Sequence, residues 1–376
     1  MTRNQMPVFY KDWEALAAEK LERGAFEYIR GGSGSGETLL ANETAFRQWA
    51  IIPRVLRDVS SVEISTSILN QPIQAPILLA PVGYQKLACP QGELAAAKAT
   101  EKAGVPYIAS TVSDYSLEEI SEHTPQGNNW FQLYWSTNEA LTFSMVKRAE
   151  QAGYKAIVAT VDTGVLGWRS SSFVHHFSPV RATRGGANFR KDPVFQALVT
   201  EWTEENIIKE IQNNKRRDHM TWDDILRLRK ITSLPIILKG IQHPKDAEKA
   251  AELGFEGIIV SNHGGRQLDA AISSLESLSP IVDAVKDRIA IIVDGGIRSG
   301  TDVYKALALG ADAVSIGRPY IYGLAAYGEE GVVQVIEQYK SQLISALRLS
   351  GEANMKHLSR ENLHHSFTCS CNLRDT

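Results

Sequence analysis

Cysteine is nearly missing from this chain. Only Cys89, Cys369 and Cys371 occur among 376 residues, too few for a disulfide framework. That usage fits a reducing compartment, and a cytoplasmic location is expected. Cys369 and Cys371 have no further ligand residues beside them, so they are read as incidental thiols and no metal site is assigned. No apolar run is long enough to cross a bilayer, and Met1-Thr-Arg-Asn-Gln-Met-Pro7 lacks the apolar core of a secretory signal. The final Leu-Arg-Asp-Thr376 is not a peroxisomal address. Neither sign of charge is in excess: the formal net charge is −3. That removes any electrostatic case for nucleic acid or an anionic membrane. Also missing is a Gly-x-Gly-x-x-Gly closing the first strand of the repeating region, which argues against a dinucleotide-binding doubly wound sheet.

What is present suits a large core: 43% of residues are hydrophobic and 22% charged. Residues 9–30 read as a helix, with Phe9, Trp13, Leu16, Ala17 and Leu21 at helical spacing. Residues 28–36 read as a flexible glycine-rich loop, 37–49 as a further helix, and 50–74 as short strands and turns. From residue 75 strands and helices alternate. Strands are expected at 75–81, 106–111, 130–135, 156–162, 235–240, 257–262, 290–295 and 313–319. Ser116 with Glu119 three residues on predicts a capped helix start. Alternation means parallel strands with crossover helices, and eight such units predict a (β/α)8 barrel. The expected layout is an N-terminal extension over 1–74, a barrel over 75–350 with a lid at about 170–220 after strand four, and a C-terminal tail over 351–376.

A barrel places its chemistry where strands end. Those ends read Pro81-Val82-Gly83, Ser110, Gln132 with Tyr134, Thr160 with Asp162, Lys239, Ser261-Asn-His263, Asp294-Gly295-Gly296, and Gly317-Arg318. His263 takes a proton near neutral pH. Arg266, three residues on past a Gly pair, can grip a carboxylate with two parallel hydrogen bonds. Asp294-Gly-Gly-Ile-Arg298-Ser-Gly300 and Gly317-Arg318 suit a phosphate held by backbone N–H groups at helix starts. Lys239 closes an apolar strand and would be costly unpaired. It could form a Schiff base or stay charged beside an anionic flavin.

Ser261-Asn-His-Gly-Gly-Arg266-Gln, Leu-Lys239-Gly, Gln132-Leu-Tyr134, Thr160-Val-Asp162 and Asp294-Gly-Gly-Ile-Arg298 together resemble the FMN-dependent L-2-hydroxy acid oxidase/dehydrogenase family, from about Phe9 to about residue 360. The resemblance implies FMN as cofactor, a small 2-hydroxy acid (L-lactate foremost) and O2 as reactants, and a homotetramer or higher homo-oligomer. It implies His263 as base, Asp162 as its partner, Arg266 and Arg169 as carboxylate clamps helped by Tyr28, and Tyr134 on the substrate hydroxyl. Lys239 would stand by the flavin ring, with Pro81, Val82, Gly83, Ser110, Gln132, Thr160 and Ser261 lining it. Asp294, Gly295, Gly296, Arg298, Gly317 and Arg318 would hold the ribityl phosphate end.

Some positions depart from the family pattern. Ser172 stands where an Asp follows Arg169, and Cys89 where a His precedes Pro90. Gly83, Trp168-Arg169, Asp192–Ala197 and Thr221–Asp224 look like the lactate 2-monooxygenase branch, whereas Tyr84–Leu87 looks like the hydroxymandelate oxidase branch. The segment between Arg169 and Thr221 is shorter than in the monooxygenases and too polar for a membrane-binding insert. No haem-binding segment precedes the barrel, so no flavocytochrome arrangement is expected. Three readings stay open: an oxidase or internal monooxygenase, a quinone-linked dehydrogenase, and a flavin-binding barrel without turnover.

Overall fold

The structure is a computed structural model and describes residues 6–366. Eight parallel strands close into a barrel. They are β1 (Ile77–Leu79), β2 (Tyr107–Ala109), β3 (Asn129–Leu133), β4 (Ile157–Thr160), β5 (Ile236–Ile241), β6 (Gly257–Val260), β7 (Ala290–Asp294) and β8 (Ala313–Ile316). Each pairs with its sequence neighbours, and β8 closes on β1 through Val314↔Ile77. This is the (β/α)8 barrel expected from the alternation.

Strand parity builds two decks inside it. Side chains alternate faces, so every second residue points to the barrel axis. The lower inward positions are Leu78, Ile108, Trp130, Val158, Ile237, Ile259, Ile292 and Ala313, which form one apolar cluster. Two residues further along each strand, the same inward phase carries Ala80, Ser110, Gln132, Thr160, Lys239, Ser261, Asp294 and Ser315. The switch from apolar to polar at constant phase makes the lower deck a core and the upper deck a floor for chemistry. The floor rests on a plug: strands Thr66–Ile68 and Gln71–Ile73 form a hairpin whose Ile68 and Ile73 pack into the lower cluster. Its turn residues Leu69 and Asn70 both have positive φ, the type I′ signature of a two-residue hairpin.

The outward residues of the strands face the helices in a second, larger cluster. The cap foreseen at Ser116 is present: Glu119 N donates to Ser116 Oγ at 3.3 Å, and Ser116 N donates to Glu119 Oε2 at 2.8 Å. The N-terminal helix is not continuous. It ends at Lys20, and a second helix, Arg23–Arg30, starts after Leu21 turns extended. Leu21 packs against the main core, and the break aims Tyr28 at the barrel mouth. The glycine-rich loop is tied down: Ser33 N donates to Gly265 O at 2.8 Å and Gly34 N to Trp168 O at 2.7 Å.

Between β4 and helix Trp222–Leu228 the chain leaves the barrel to cover its mouth. This insertion carries five short helices where the sequence suggested irregular chain, ending with Glu204–Asn214. The eighth strand stops at Ile316, and Arg318 begins a helix to Ser350, broken at Tyr327 and Gly328. The segment read as a tail returns to the body: Leu363–His365 pairs antiparallel with Trp49–Ile51. Cys369 and Cys371 lie outside the described residues. No helix among the described residues is long and apolar enough to cross a membrane.

Candidate active site

The upper deck opens into a cavity of about 350 Å³ at the C-terminal ends of the strands. That is the size range of small-ligand sites. Of the residues singled out from sequence, Tyr28, Pro81, Val82, Gly83, Ser110, Tyr134, Arg169, Lys239, His263, Arg266, Asp294, Gly295, Gly296, Arg298, Gly317 and Arg318 line it. Gln132, Thr160, Asp162 and Ser261 stand one layer behind. Gln132 Nε2 donates to Thr160 Oγ1 at 2.9 Å, and Ser110 Oγ to Gln132 Oε1 at 3.3 Å. These bonds fix the donors and acceptors of the floor.

Lys239 is buried with Asp294 Oδ2 at 3.1 Å and donates to Ser261 Oγ at 2.7 Å. Burial works against its charge, but Asp294 and Asp162 prevail and hold the ammonium above its usual range. A Schiff-base nucleophile must be a neutral amine, so the geometry supports a fixed positive charge instead. Asp294 Oδ1 and Ser315 Oγ are buried at the cavity without partners. Orphaned polar atoms on a floor otherwise satisfied fit a flat polar ring with its own donors and acceptors.

His263 follows β6 on a loop in the left-handed region: φ is 60° at His263, 65° at Gly264 and 73° at Gly265. A non-glycine residue held there is strained, and the surroundings must impose it. His263 N donates to Ser261 Oγ at 3.0 Å and Gly265 N to Asn262 Oδ1 at 3.0 Å. Asn262 in turn exchanges two 2.8 Å amide bonds with Asn42 of helix Glu37–Arg47. The imidazole Nδ1 faces Asp162 Oδ1 at 3.0 Å. Burial lowers the His263 pKa; Asp162 opposes this, and Lys239 and Arg169 add to it. Nδ1–H then donates to Asp162 and Nε2 keeps its lone pair, the state of a base. Burial would raise Asp162, but its interaction with His263 and the Lys239 charge hold it below the usual range. Gly240 makes the approach feasible. Its φ is 109°, and a Cβ there would lie 2.6 Å from Asp162 Cβ.

Cations crowd the rest of the cavity. Arg266 Nη1 donates to Tyr28 O at 2.7 Å and Gly31 O at 2.8 Å, and its guanidinium lies 4.9 Å from the Tyr28 ring centroid. One nitrogen is thereby anchored and the remaining N–H groups stay available. Arg318 donates to Gly31 O at 2.8 Å and Gly264 O at 3.1 Å. Arg298 pairs with Glu43 at 3.1 Å while lining the cavity. The helix start after Arg298 is already capped, since Ser299 Oγ accepts from Asp302 N and Gln342 takes Gly300 N. The helix start at Gly317–Arg318 faces the cavity and has no side-chain cap. A terminal phosphate fits there. Gly83 has no room for a side chain: a Cβ on it would meet Val112 Cγ2 at 2.4 Å.

Sequence reasoning missed Asn42, Gly240, and the cavity residues Gln212, Lys215 and Arg216 of the covering insertion. The basic run Lys215-Arg-Arg217 at the end of a helix was the available signal for the last of these.

Comparison with known proteins agrees with this geometry. The family described as FMN-dependent dehydrogenase matches residues 17–365. An L-lactate oxidase of Lysinibacillus sphaericus is 46% identical over 94% of this chain and 91% of its own length. A 4-hydroxymandelate oxidase of Amycolatopsis orientalis is 42% identical over 90% of this chain and 93% of its own. A crystal structure of mandelate oxidase superposes with a TM-score of 0.86 at 39% identity, covering 96% of this chain and 98% of that one. A barrel with this floor, this His–Asp pair and these relatives belongs to the FMN-dependent α-hydroxy acid oxidase/dehydrogenase family, binds FMN, and oxidises 2-hydroxy acids.

Proposed function

We propose that the chain oxidises an L-2-hydroxy acid of the lactate class to its 2-oxo acid and passes the electrons to O2. The observation that carries this is the Asp162–His263 pair, 3.0 Å apart, in one cavity with Lys239, Arg169 and Arg266. Bound FMN supplies the two-electron acceptor. The substrate loses two electrons and two hydrogens; His263 takes one of these hydrogens as a proton, and Asp162 stabilises the imidazolium that forms. Arg266 and Arg169 clamp the carboxylate, with Tyr28 holding the Arg266 guanidinium, and Tyr134 orients the hydroxyl. Lys239 offsets negative charge on the ring, and Pro81, Val82, Gly83, Ser110, Gln132, Thr160 and Ser261 form its bed. Arg318 and Gly317 hold the phosphate, with Arg298, Asp294, Gly295 and Gly296 around the chain that leads to it. The test is anaerobic addition of L-lactate to the purified yellow protein. Bleaching, followed by oxygen uptake with stoichiometric pyruvate and hydrogen peroxide, is the expected result. An unbleached flavin would refute the reading, and bleaching without oxygen uptake would indicate a quinone-linked dehydrogenase.

One observation favours internal monooxygenation as a second reading. Residues 168–170 of the insertion are tied to residues 33–34: Ser33 Oγ donates to Trp168 O at 3.0 Å and Ser170 Oγ to Gly34 O at 2.8 Å. A cover so fastened slows release of the 2-oxo acid, and peroxide formed beside trapped pyruvate gives acetate, carbon dioxide and water. Gly83 supports neither outcome, because a side chain there would meet Val112 and not the substrate side of the cavity. Acetate measured against peroxide separates the two.

A further inference from the structure

The cavity holds more positive charge than one carboxylate requires. Besides Arg169 and Arg266, Lys215 and Arg216 reach it from the end of helix Glu204–Asn214. The Arg216 guanidinium lies 5.8 Å from the centroid of the Tyr134 ring. The Nε atoms of Arg216 and Arg169 are both buried without an acceptor. Among the described residues, no carboxylate forms an ion pair with Arg169, Lys215 or Arg216, and Lys215 Nζ has no hydrogen bond. Their neighbour Arg217, by contrast, has Asp224 at 3.3 Å. Burial, then Arg216 and Arg169, push the Lys215 ammonium down to about 8. Clustered cations that have lost water and lack anions are destabilising, and a bound anion removes the penalty. The phosphate end of the cofactor is served by other residues, at Gly317–Arg318.

We propose that Lys215 and Arg216 form a second anion subsite, and that the preferred substrates are L-2-hydroxy acids with a second carboxylate at the far end of a short chain. This rests on the oxidase reading above. The α-carboxylate takes Arg266 and Arg169, and the distal carboxylate takes the fork of Arg216 and the point charge of Lys215. A neutral chain of equal length leaves both cations desolvated and unpaired, which a polar site penalises more than it penalises a missing methylene.

The test compares L-2-hydroxyglutarate with L-2-hydroxypentanoate on the FMN-loaded enzyme. The kcat/KM for the diacid is expected to be higher by roughly ten- to a hundredfold, the range of a charge-assisted hydrogen bond. Lys215→Met and Arg216→Met should each lower that ratio by about tenfold, whereas Lys215→Arg should keep most of it. Spectral titration of the oxidised enzyme with glutarate and with pentanoate reads the subsite without turnover. Glutarate should bind more tightly and lose more affinity in salt. Equal or better turnover of the pentanoate, or ratios unmoved by both substitutions, would overturn the proposal. No turnover of any 2-hydroxy acid, with glutarate still preferred, would refute the oxidase reading and support the subsite.

Discussion

Asp162→Asn is the most informative single change. The carboxylate sits 3.0 Å from His263 Nδ1, and it is the group that raises the pKa of an imidazole otherwise pushed down by burial, Lys239 and Arg169. Asparagine keeps the size and loses the charge. A hydrogen bond to a charged partner is worth about 1.5–3 kcal/mol, so the imidazolium formed during proton transfer loses about that much. The expected fall in substrate-driven flavin bleaching, followed anaerobically by stopped flow, is roughly ten- to a hundredfold. The sign of the pH effect is the sharper test. As the proposed base, His263 acts in its neutral form, so the rate should rise with pH through its pKa. With Asp162 neutralised only the downward influences remain, and the acid limb should move to lower pH while the plateau falls. A general loss of folding would lower the plateau without that displacement. An acid limb that moves upward, or a variant bleached at nearly the parent rate, would refute the assignment.

Three other changes test separate parts of the structure. Gly240→Ala puts a Cβ 2.6 Å from Asp162 Cβ at a φ of 109°, and should keep FMN but slow bleaching by about a hundredfold, the cost of a misplacement near 1 Å; parent-like bleaching would show that Asp162 tolerates displacement. Ile68→Ala empties part of the plug beneath the lower deck and should cost about 2–5 kcal/mol by denaturant titration, with turnover per bound flavin retained; an unchanged midpoint would count against the plug. Glu93 is buried, and burial with the nearby Asp114 raises its carboxyl from 4.5 to about 8. A raised folded pKa gives stability that is present below 4.5 and lost as pH rises through about 8. Glu93→Gln should therefore raise the melting temperature relative to the parent at pH about 9 and not at pH about 5, and a gap independent of pH would refute that linkage.

The barrel was legible because its strands obey one simple rule. Short β-branched runs such as Gly257–Val260 alternate with helical periods, and polar residues follow the apolar ones at fixed distance. The same rule exposed His263, Lys239 and Asp294, since each stands where a strand stops being apolar. The cap at Ser116 was legible because it is a local exchange of hydrogen bonds. Lys215 and Arg216 were not. Their approach to the cavity depends on the path of the insertion through five short helices, and nothing periodic in residues 170–221 encodes that path. Arg298 was only half read. Its motif is plain in the sequence, but its partner Glu43 lies more than two hundred residues away. The break at Leu21 was hidden because apolar spacing continues across it, while the backbone turns to seat that leucine in the core.

The amide exchange between Asn42 and Asn262 changes what counts as the catalytic unit. The helix Glu37–Arg47 also abuts the β7 loop so closely that a Cβ on Gly296 would overlap Asn42 O. One residue outside the barrel thus braces two loops, its side chain the loop of the proposed base and its backbone the loop beside the proposed phosphate region. A fragment cut at residue 75 would keep every barrel strand and lose the strut that forces His263 into its strained turn. For grafting or circular permutation of this scaffold, the smallest portable catalyst begins with the N-terminal helices, not with the first strand.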